Sequence, residues 1–246
     1  MSWQIDLTVQ IASFELSVHF ETQVNVIAII GANGSGKSTL LKAIAGAFPT
    51  ISGSVRIDAK CLFDSAHAVN LPIESRGISY VPPGHHLLPH LTIDENAKFG
   101  RLPSGQCDSM FNTQVTHWLT QLGCADYLNA YPHTLSTGQR QRAVIARALA
   151  RQPGIFLFDE PLANIDPIAK RDIRHALSGT GGIRSTPTLI VTHDHCDVLE
   201  LADLVCVLDK GKMVQLATPN EIIRSPVNEF TEAFFDAVSP RKNESI

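Results

Sequence analysis

Gly31-Ala32-Asn33-Gly34-Ser35-Gly36-Lys37-Ser38 carries the clearest chemistry in this chain. It fits the pattern G-x-x-x-x-G-K-[ST]. Small residues let backbone N–H groups close around phosphate oxygens. A lysine after the last glycine reaches the outer phosphates, and the hydroxyl that follows it ligates Mg2+. Lys37 is the candidate phosphate contact, Ser38 the candidate metal ligand, and Thr39 completes the nucleotide-binding set. Composition alone would produce such a pattern in about one chain in a hundred of this length. The flanks add weight. Val24–Ile30 is an almost continuous apolar run, as in a strand buried on both faces. Lys37–Ala45 has helical character and is stopped by Gly46. A helix that begins at the loop aims its dipole and its unpaired N–H groups at the same anion.

Three further segments bear reactive side chains. Ile155–Phe158 is an apolar strand that ends in Asp159-Glu160-Pro161. Open α/β sheets bind ligands at the C-terminal edge of their strands. Asp159 is placed there to hold Mg2+ through water, and Glu160 to orient or polarise an attacking water; the plain alternative is a solvated acidic turn. Thr188–Val191 is a third apolar run, followed by Thr192-His193-Asp194, and His193 is a candidate γ-phosphate contact. A lone histidine at a strand end is more often structural, and only its companion motifs favour the functional reading. Leu135-Ser136-Thr137-Gly138-Gln139-Arg140-Gln141-Arg142 precedes an alanine-rich helix. Ser136 is a natural helix cap, and the N–H groups beside it form an anion site.

The elements that must position these residues are legible as a pattern. Ile5–Val9 and Phe14–Phe20 alternate apolar and polar residues, and Ser54–Ala59 reads as another strand. Residues 84–134 differ in texture, with helical stretches near Ile93–Phe99 and Phe111–Leu122. Apolar strands return at Ile155–Phe158, Thr188–Val191 and Val205–Leu208, separated by helical segments near Gln139–Ala150, Ile168–Leu177 and His195–Ala202. Strands alternating with helices predict an α/β fold with a mostly parallel sheet and crossover helices. The 246 residues suit one large domain with an inserted subdomain. A net charge of −4 gives no overall basic field, and nucleic acid is not expected as a partner. Five cysteines without CxxC spacing read as reduced thiols. The N-terminus lacks a basic start followed by an apolar run, so no signal peptide is expected. No apolar stretch approaches the roughly 20 residues of a membrane helix. Service to a membrane would require docking onto a partner.

The segment Leu135–Arg142 resembles the LSGGQ signature of ATP-binding cassette (ABC) proteins, and 19 residues separate its Gln139 from Asp159, as in that family. Pro161-Leu162-Ala163-Asn164-Ile165-Asp166 resembles the D-loop, and His193 the switch histidine. The resemblance implies a P-loop NTPase, RecA-like fold over residues 1–238, with an N-terminal antiparallel β subdomain, a helical subdomain inserted at about 84–150, and a polar tail at 239–246. It implies ATP and Mg2+ as ligands and ATP hydrolysis as the activity, with Lys37, Glu160 and His193 catalytic. It also implies a head-to-tail pair of ATPase chains, in which Ser136, Thr137, Gly138 and Gln139 of one chain act on the ATP of the other and Asp166 couples the two sites. By the same resemblance, transmembrane permease subunits, and indirectly a solute-binding protein, are expected partners at the cytoplasmic side of the cell membrane. Cys61–Ser65, Asn70-Leu71-Pro72, Arg76, Gly77–Val81 and Leu87–Thr92 are similar to ATPases of molybdate importers, a likeness shared in part with sulfate, iron and sugar importers. A soluble ABC ATPase acting on DNA or ribosomes fits less well, because residues 84–134 are too short for a long coiled coil and there is no second phosphate loop.

Three departures qualify the resemblance. Pro83 stands where the family carries a glutamine that touches Mg2+ and the attacking water. Proline brings neither a side-chain donor nor an N–H. Either hydrolysis is weaker or differently coupled, leaving an ATP-binding regulatory module, or His85, His86 or water substitutes. Thr137 occupies a signature position usually held by glycine, while Gly138 is retained. The sequence continues only briefly past Phe230–Phe235, so a β-rich regulatory domain is not expected. Phe14 is a candidate to stack on adenine, although a core strand residue is the commoner role. Metal binding by His85, His86 and His90 is not expected, for want of a partner at ligand spacing.

Overall fold

A computed structural model describes residues 1–48, 51–100 and 107–238; the tail expected at 239–246 lies outside the described residues. The chain opens with β1 (Trp3–Ile11), β2 (Phe14–Thr22), β3 (Val26–Gly31) and α1 (Lys37–Ala45), followed by β4 (Ile51–Ile57), β5 (Lys60–Asp64), β6 (Val69–Asn70) and β7 (Ile78–Val81). Next come α2 (Ile93–Lys98), α3 (Asp108–Gln121), α4 (Thr137–Ala150), β8 (Ile155–Asp159), α5 (Pro167–Ser178), β9 (Thr188–Val191) and α6 (His195–Leu201). The last described elements are β10 (Leu204–Asp209), β11 (Lys212–Ala217), α7 (Pro219–Arg224) and α8 (Glu229–Phe235).

The strands form one 11-stranded sheet in the order β6-β5-β4-β1-β2-β11-β10-β3-β9-β8-β7. From β10 through β3, β9 and β8 to β7 every pairing is parallel, while β2-β1-β4-β5-β6 is antiparallel throughout. The halves meet where β11, antiparallel to β10, pairs with β2 only at Lys212↔Ser17. The antiparallel part thus joins the parallel sheet through a strand from late in the chain.

Side-chain alternation explains why the parallel strands read as continuous apolar runs. Successive residues of a strand point to opposite faces. Val26, Ala28 and Ile30 of β3 enter one core, together with Phe156, Phe158, Ile190, Val205 and Val207. Ile27 and Ile29 enter the other, with Leu157, Leu189, Val191, Cys206 and Leu208. The first core is closed by α3, α4 and α5, through residues such as Trp118, Val144 and Ile173. The second is closed by α1, through Leu40, Leu41 and Ile44. Each fully buried Leu, Ile or Val contributes about 1.5–3 kcal/mol. Both faces are therefore covered, and the loops at the strand ends are the places left for chemistry.

Helix α4 packs against α2, α3 and β7. Arg76, 1% exposed, donates to the carbonyls of Ile44 at 2.6 Å and Leu71 at 2.8 Å and to Asn70 Oδ1 at 2.8 Å. It thereby fixes the C-terminal end of the helix whose N-terminus meets the phosphate loop. The strand expected at Ser54–Ala59 runs over Ile51–Ile57 instead, because Asp58 takes a left-handed φ of 51° and starts the turn into β5. Among the described residues no helix is long and apolar enough to cross a membrane.

Candidate phosphate-binding and hydrolytic site

The phosphate loop lies between the buried ends of β3 and α1. Gly36, the N-cap of α1, has φ +104°, and a Cβ there would lie 2.8 Å from Leu16 Cδ1 and 3.1 Å from Phe14 Cζ. No other residue fits both that backbone and that space. Lys37 is 7% exposed, and its ammonium donates to the carbonyls of Gly31 at 2.8 Å and Ala32 at 3.0 Å. Burial holds its pKa below the usual lysine range, while Glu160 and Asp159 pull it back up. Two of its three donors are thus engaged, which leaves one for an anion. Ser35 Oγ is buried and has no hydrogen-bond partner among the described residues. A cavity of about 270 Å3 opens over the loop, lined by Asn33, Gly34, Gly36, Lys37, Ser38 and Thr39 together with Phe14 and Glu160.

The acidic strand end reaches the same place. Ser38 Oγ donates to Asp159 Oδ1 at 3.0 Å, and the Tyr80 hydroxyl donates to Asp159 Oδ2 at 3.2 Å. Asp159 is fully buried, and desolvation raises its pKa against the two hydrogen bonds. The hydroxyl of Ser38 beside a carboxylate is an all-oxygen set, suited to a hard cation that takes its remaining ligands from phosphates and water. The residues present therefore fit Mg2+.

Glu160 leaves the strand with φ +54°, a strained value for this residue type, while its N–H donates to Val191 O at 3.0 Å. The turn sets its carboxylate on the wall of two cavities. One is the phosphate-loop cavity; the other, about 330 Å3, is also lined by His193, Thr192 and Asp194. His193 Nε2 lies 3.1 Å from Glu160 Oε1. Beneath the histidine, Thr192 Oγ1 donates to Asp197 Oδ2 at 2.6 Å and accepts from the Asp194 N–H at 3.0 Å. Asp194 in turn accepts from Lys170 Nζ at 2.9 Å. Burial pushes the Asp197 carboxyl up to about 6, against the Thr192 hydrogen bond and the Arg174 charge, whose Nη1 lies 3.7 Å away.

The signature segment behaves differently. Ser136 and Gln139 form a reciprocal capping box at the start of α4, at 3.2 and 2.9 Å. Ser136, Thr137, Gly138 and Gln139 line neither cavity. Their neighbour is Asp166, the N-cap of α5, whose Oδ1 accepts from the Ala169 N–H at 2.9 Å. A Cβ on Gly138 would lie 4.0 Å from Asp166 Oδ2.

The structure therefore gathers Gly31–Thr39, Asp159, Glu160 and His193 into one place and leaves Ser136–Gln139 and Asp166 in another. Sequence reasoning did not assign Tyr80, Gln141 or Asp197 to the site. Tyr80 was within reach: Ile78–Val81 reads as a strand, and a parallel partner beside β8 brings its tyrosine to the acidic end.

Known proteins resemble this chain in sequence and in fold. The family profile described as "ABC transporter" matches residues 15–163. A putative ATP-binding protein of Brucella abortus is 34% identical over 213 residues, covering 87% of this chain and 59% of that protein. The sulfate/thiosulfate import ATP-binding protein CysA of Mycobacterium tuberculosis is 34% identical over 215 residues, covering 87% and 60%. The molybdenum import ATP-binding protein ModC of Paramagnetospirillum magneticum is 34% identical over 224 residues, covering 90% and 61%. The chain thus spans about six-tenths of the length of these relatives. Among solved structures, an ATP-binding subunit of an ABC transporter superposes with a TM-score of 0.75 at 21% identity, covering 97% of this chain and 99% of that one. A dimeric ATP-binding cassette bound to ADP and Pi in a post-hydrolysis state gives 0.72 at 24% identity, covering 89% and 99%. With the family profile spanning both the phosphate loop and the acidic strand end, this chain belongs to the ABC transporter family.

Proposed function

We propose that this chain is the ATP-binding and ATP-hydrolysing subunit of an ABC importer, acting as a head-to-tail pair of nucleotide-binding domains on the cytoplasmic side of a membrane. The observation that carries the reading is the position of Glu160, on the wall shared by the phosphate-loop cavity and the His193 cavity. A carboxylate there meets a water beside the terminal phosphate and can take its proton. Lys37 and the loop N–H groups hold the phosphate oxygens, and His193 steadies both Glu160 and the terminal phosphate. Bound Mg2+ would neutralise phosphate charge, held by Ser38 directly and by Asp159 through water. Phe14, which lines the same cavity, is the proposed residue to stack on adenine.

Ser136, Thr137, Gly138 and Gln139 are proposed to complete the site of a second chain, with Asp166 at the interface. Their helix N-terminus offers N–H groups to an anion, and they line neither the phosphate-loop cavity nor the His193 cavity. Transmembrane permease subunits, and through them a solute-binding protein, are the proposed partners. A small oxyanion is the proposed solute class, since sulfate/thiosulfate and molybdenum importers both stand among the relatives; of the two, the segments at Cys61–Ser65 and Leu87–Thr92 favour the molybdate type. Affinity purification from native membranes, with the co-purifying permease and binding protein identified, tests this assignment. Recovery of soluble partners alone would remove the transport reading.

Hydrolysis itself is tested by phosphate release from MgATP. We expect Glu160→Gln to lower turnover by at least about 100-fold, the loss typical of a general base, with ATP binding retained. Unchanged turnover would remove Glu160 from its role. A weaker-hydrolysis reading has one observation in its favour: Pro83 is exposed, and its carbonyl is taken by the His86 ring at 2.7 Å. On that reading Pro83→Gln raises the rate, and an unchanged rate sinks it.

A further inference from the structure

Loop 82–91 carries the departure at Pro83, and two of its histidines go opposite ways. His86, with φ +28°, folds back so that Nε2 meets Pro83 O at 2.7 Å. His85 is half-buried, and its Nδ1 lies 2.9 Å from Gln141 Oε1. Gln141, on α4, is 4% exposed, and its Nε2 donates to Pro161 O at 2.6 Å. A carbonyl only accepts, so the amide nitrogen must face Pro161 and the amide oxygen must face His85. That oxygen also only accepts. His85 therefore carries its proton on Nδ1, and the two hydrogen bonds run in one direction, from loop 82–91 through α4 to the residue after Glu160.

The link ends at a sensitive point. Glu160 holds a left-handed φ that its residue type resists, directly before a proline that narrows its choices further. Its N–H is fixed by Val191 O on one side. On the other side, the Pro161 carbonyl is fixed by Gln141 alone among the described hydrogen bonds. Strained conformations persist only where the surroundings over-determine them. Neither His85 nor Gln141 lines the phosphate-loop cavity, so neither can act by touching a phosphate there.

We propose that His85 is a positioning residue for Glu160, acting through the buried Gln141 amide. The proposal rests on Glu160 being the hydrolytic carboxylate. It places the state of loop 82–91 in direct hydrogen-bonded register with the backbone that aims that carboxylate. Withdrawing His85 leaves Gln141 Oε1 buried without a donor, and the amide is then free to turn away from Pro161.

The test compares His85→Ala with His85→Asn, whose amide N–H stands where Nδ1–H stood. Steady-state kcat and KM for ATP are measured with the full chain, and melting temperatures check the fold. We expect His85→Ala to lower kcat about tenfold with KM within about twofold, in the range carried by hydrogen-bonded coupling networks. His85→Asn should recover kcat to within about threefold of wild type. Wild-type kcat in His85→Ala, or an Asn variant no better than Ala, would overturn the proposal. A second measurement does not depend on turnover: 15N resonances of the His85 ring should show a protonated Nδ1 whose shift moves in Gln141→Leu. A ring protonated on Nε2 alone, or indifferent to Gln141, would overturn the link. A wild-type chain that binds ATP without turnover would contradict the hydrolytic reading and leave the ring resonances to decide the link.

Discussion

Two helix N-termini in this molecule each carry a glycine, and they are built in opposite ways. At α1, Gly36 sits at φ +104° with Leu16 and Phe14 pressed against it, and the next residue, Lys37, is 7% exposed. Everything around it is supplied by the same chain. At α4, Gly138 has helical geometry and its nearest neighbours, Ile165 Cγ2 and Asp166 Oδ2, stand 3.9 and 4.0 Å from where a Cβ would be. Ser136 and Gln139 cap each other and turn no side chain into either cavity. The first end is closed against substitution by its own fold. The second is open, and on the proposed reading a glycine there leaves room for a second chain. That contrast is what the proposed composite site requires: one half assembled internally, the other a surface for a second chain.

The strongest attack on this contrast exchanges each glycine for alanine. Gly36→Ala meets a left-handed φ and a 2.8 Å contact together, and we expect it to cost about 2–4 kcal/mol of stability and to abolish nucleotide binding, read by denaturant melts and ATP titration. Gly138→Ala meets neither. Stability should be unchanged or gain up to about 1 kcal/mol, and binding to the isolated chain should be intact, while turnover falls at least about tenfold. Equal losses of binding in the two variants would erase the distinction.

A subtler test concerns the support under His193. Asp197 has a folded pKa raised to about 6, so the fold favours its neutral form. The stabilising contribution of that form is complete below the ordinary aspartate pKa of about 4 and is lost as pH rises toward about 6. Asp197→Asn keeps an acceptor for Thr192 and removes the titration. The stability difference between wild type and variant should therefore shift toward the variant between pH 4 and 6, and denaturant midpoints across that range will show it. A difference independent of pH would contradict the assignment. The smallest expected effect is Thr137→Gly, which restores the usual signature residue at the first position of α4. Turnover should change by less than about twofold, and stability should fall by no more than about 1 kcal/mol.

What the sequence made legible follows from how each part is built. β3, β8 and β9 are buried on both faces, so their apolar runs are unmistakable and their ends mark Gly31, Asp159 and Thr192. β11 lies at the seam of the two sheet halves, half exposed along most of its length, and Lys212–Ala217 gives no such run. The short α7 went unread although Thr218, Pro219 and Glu221 supply a capping box with proline in the first turn. In the candidate site, the residues of the loop Gly31–Thr39 follow a local spacing rule, and the sequence shows it directly. Tyr80 and Gln141 act across elements that only the fold brings together, Tyr80 on a carboxylate 79 residues away and Gln141 on a carbonyl 20 residues away. No local pattern marks such residues. Arg76 was noticed for its likeness to relatives, yet its part in tying the end of α1 to the 70–71 segment is visible only as hydrogen bonds to Ile44, Leu71 and Asn70.

The central claim is that one chain holds half of each working site. The most direct measurement is the mass of the Glu160→Gln chain by sedimentation equilibrium, with and without MgATP. The account requires a monomer without nucleotide and a dimer with it, and a monomer again when Gly138→Ala is added at the same ATP occupancy. A chain that binds MgATP and remains monomeric, or one whose dimer ignores Gly138, would contradict it.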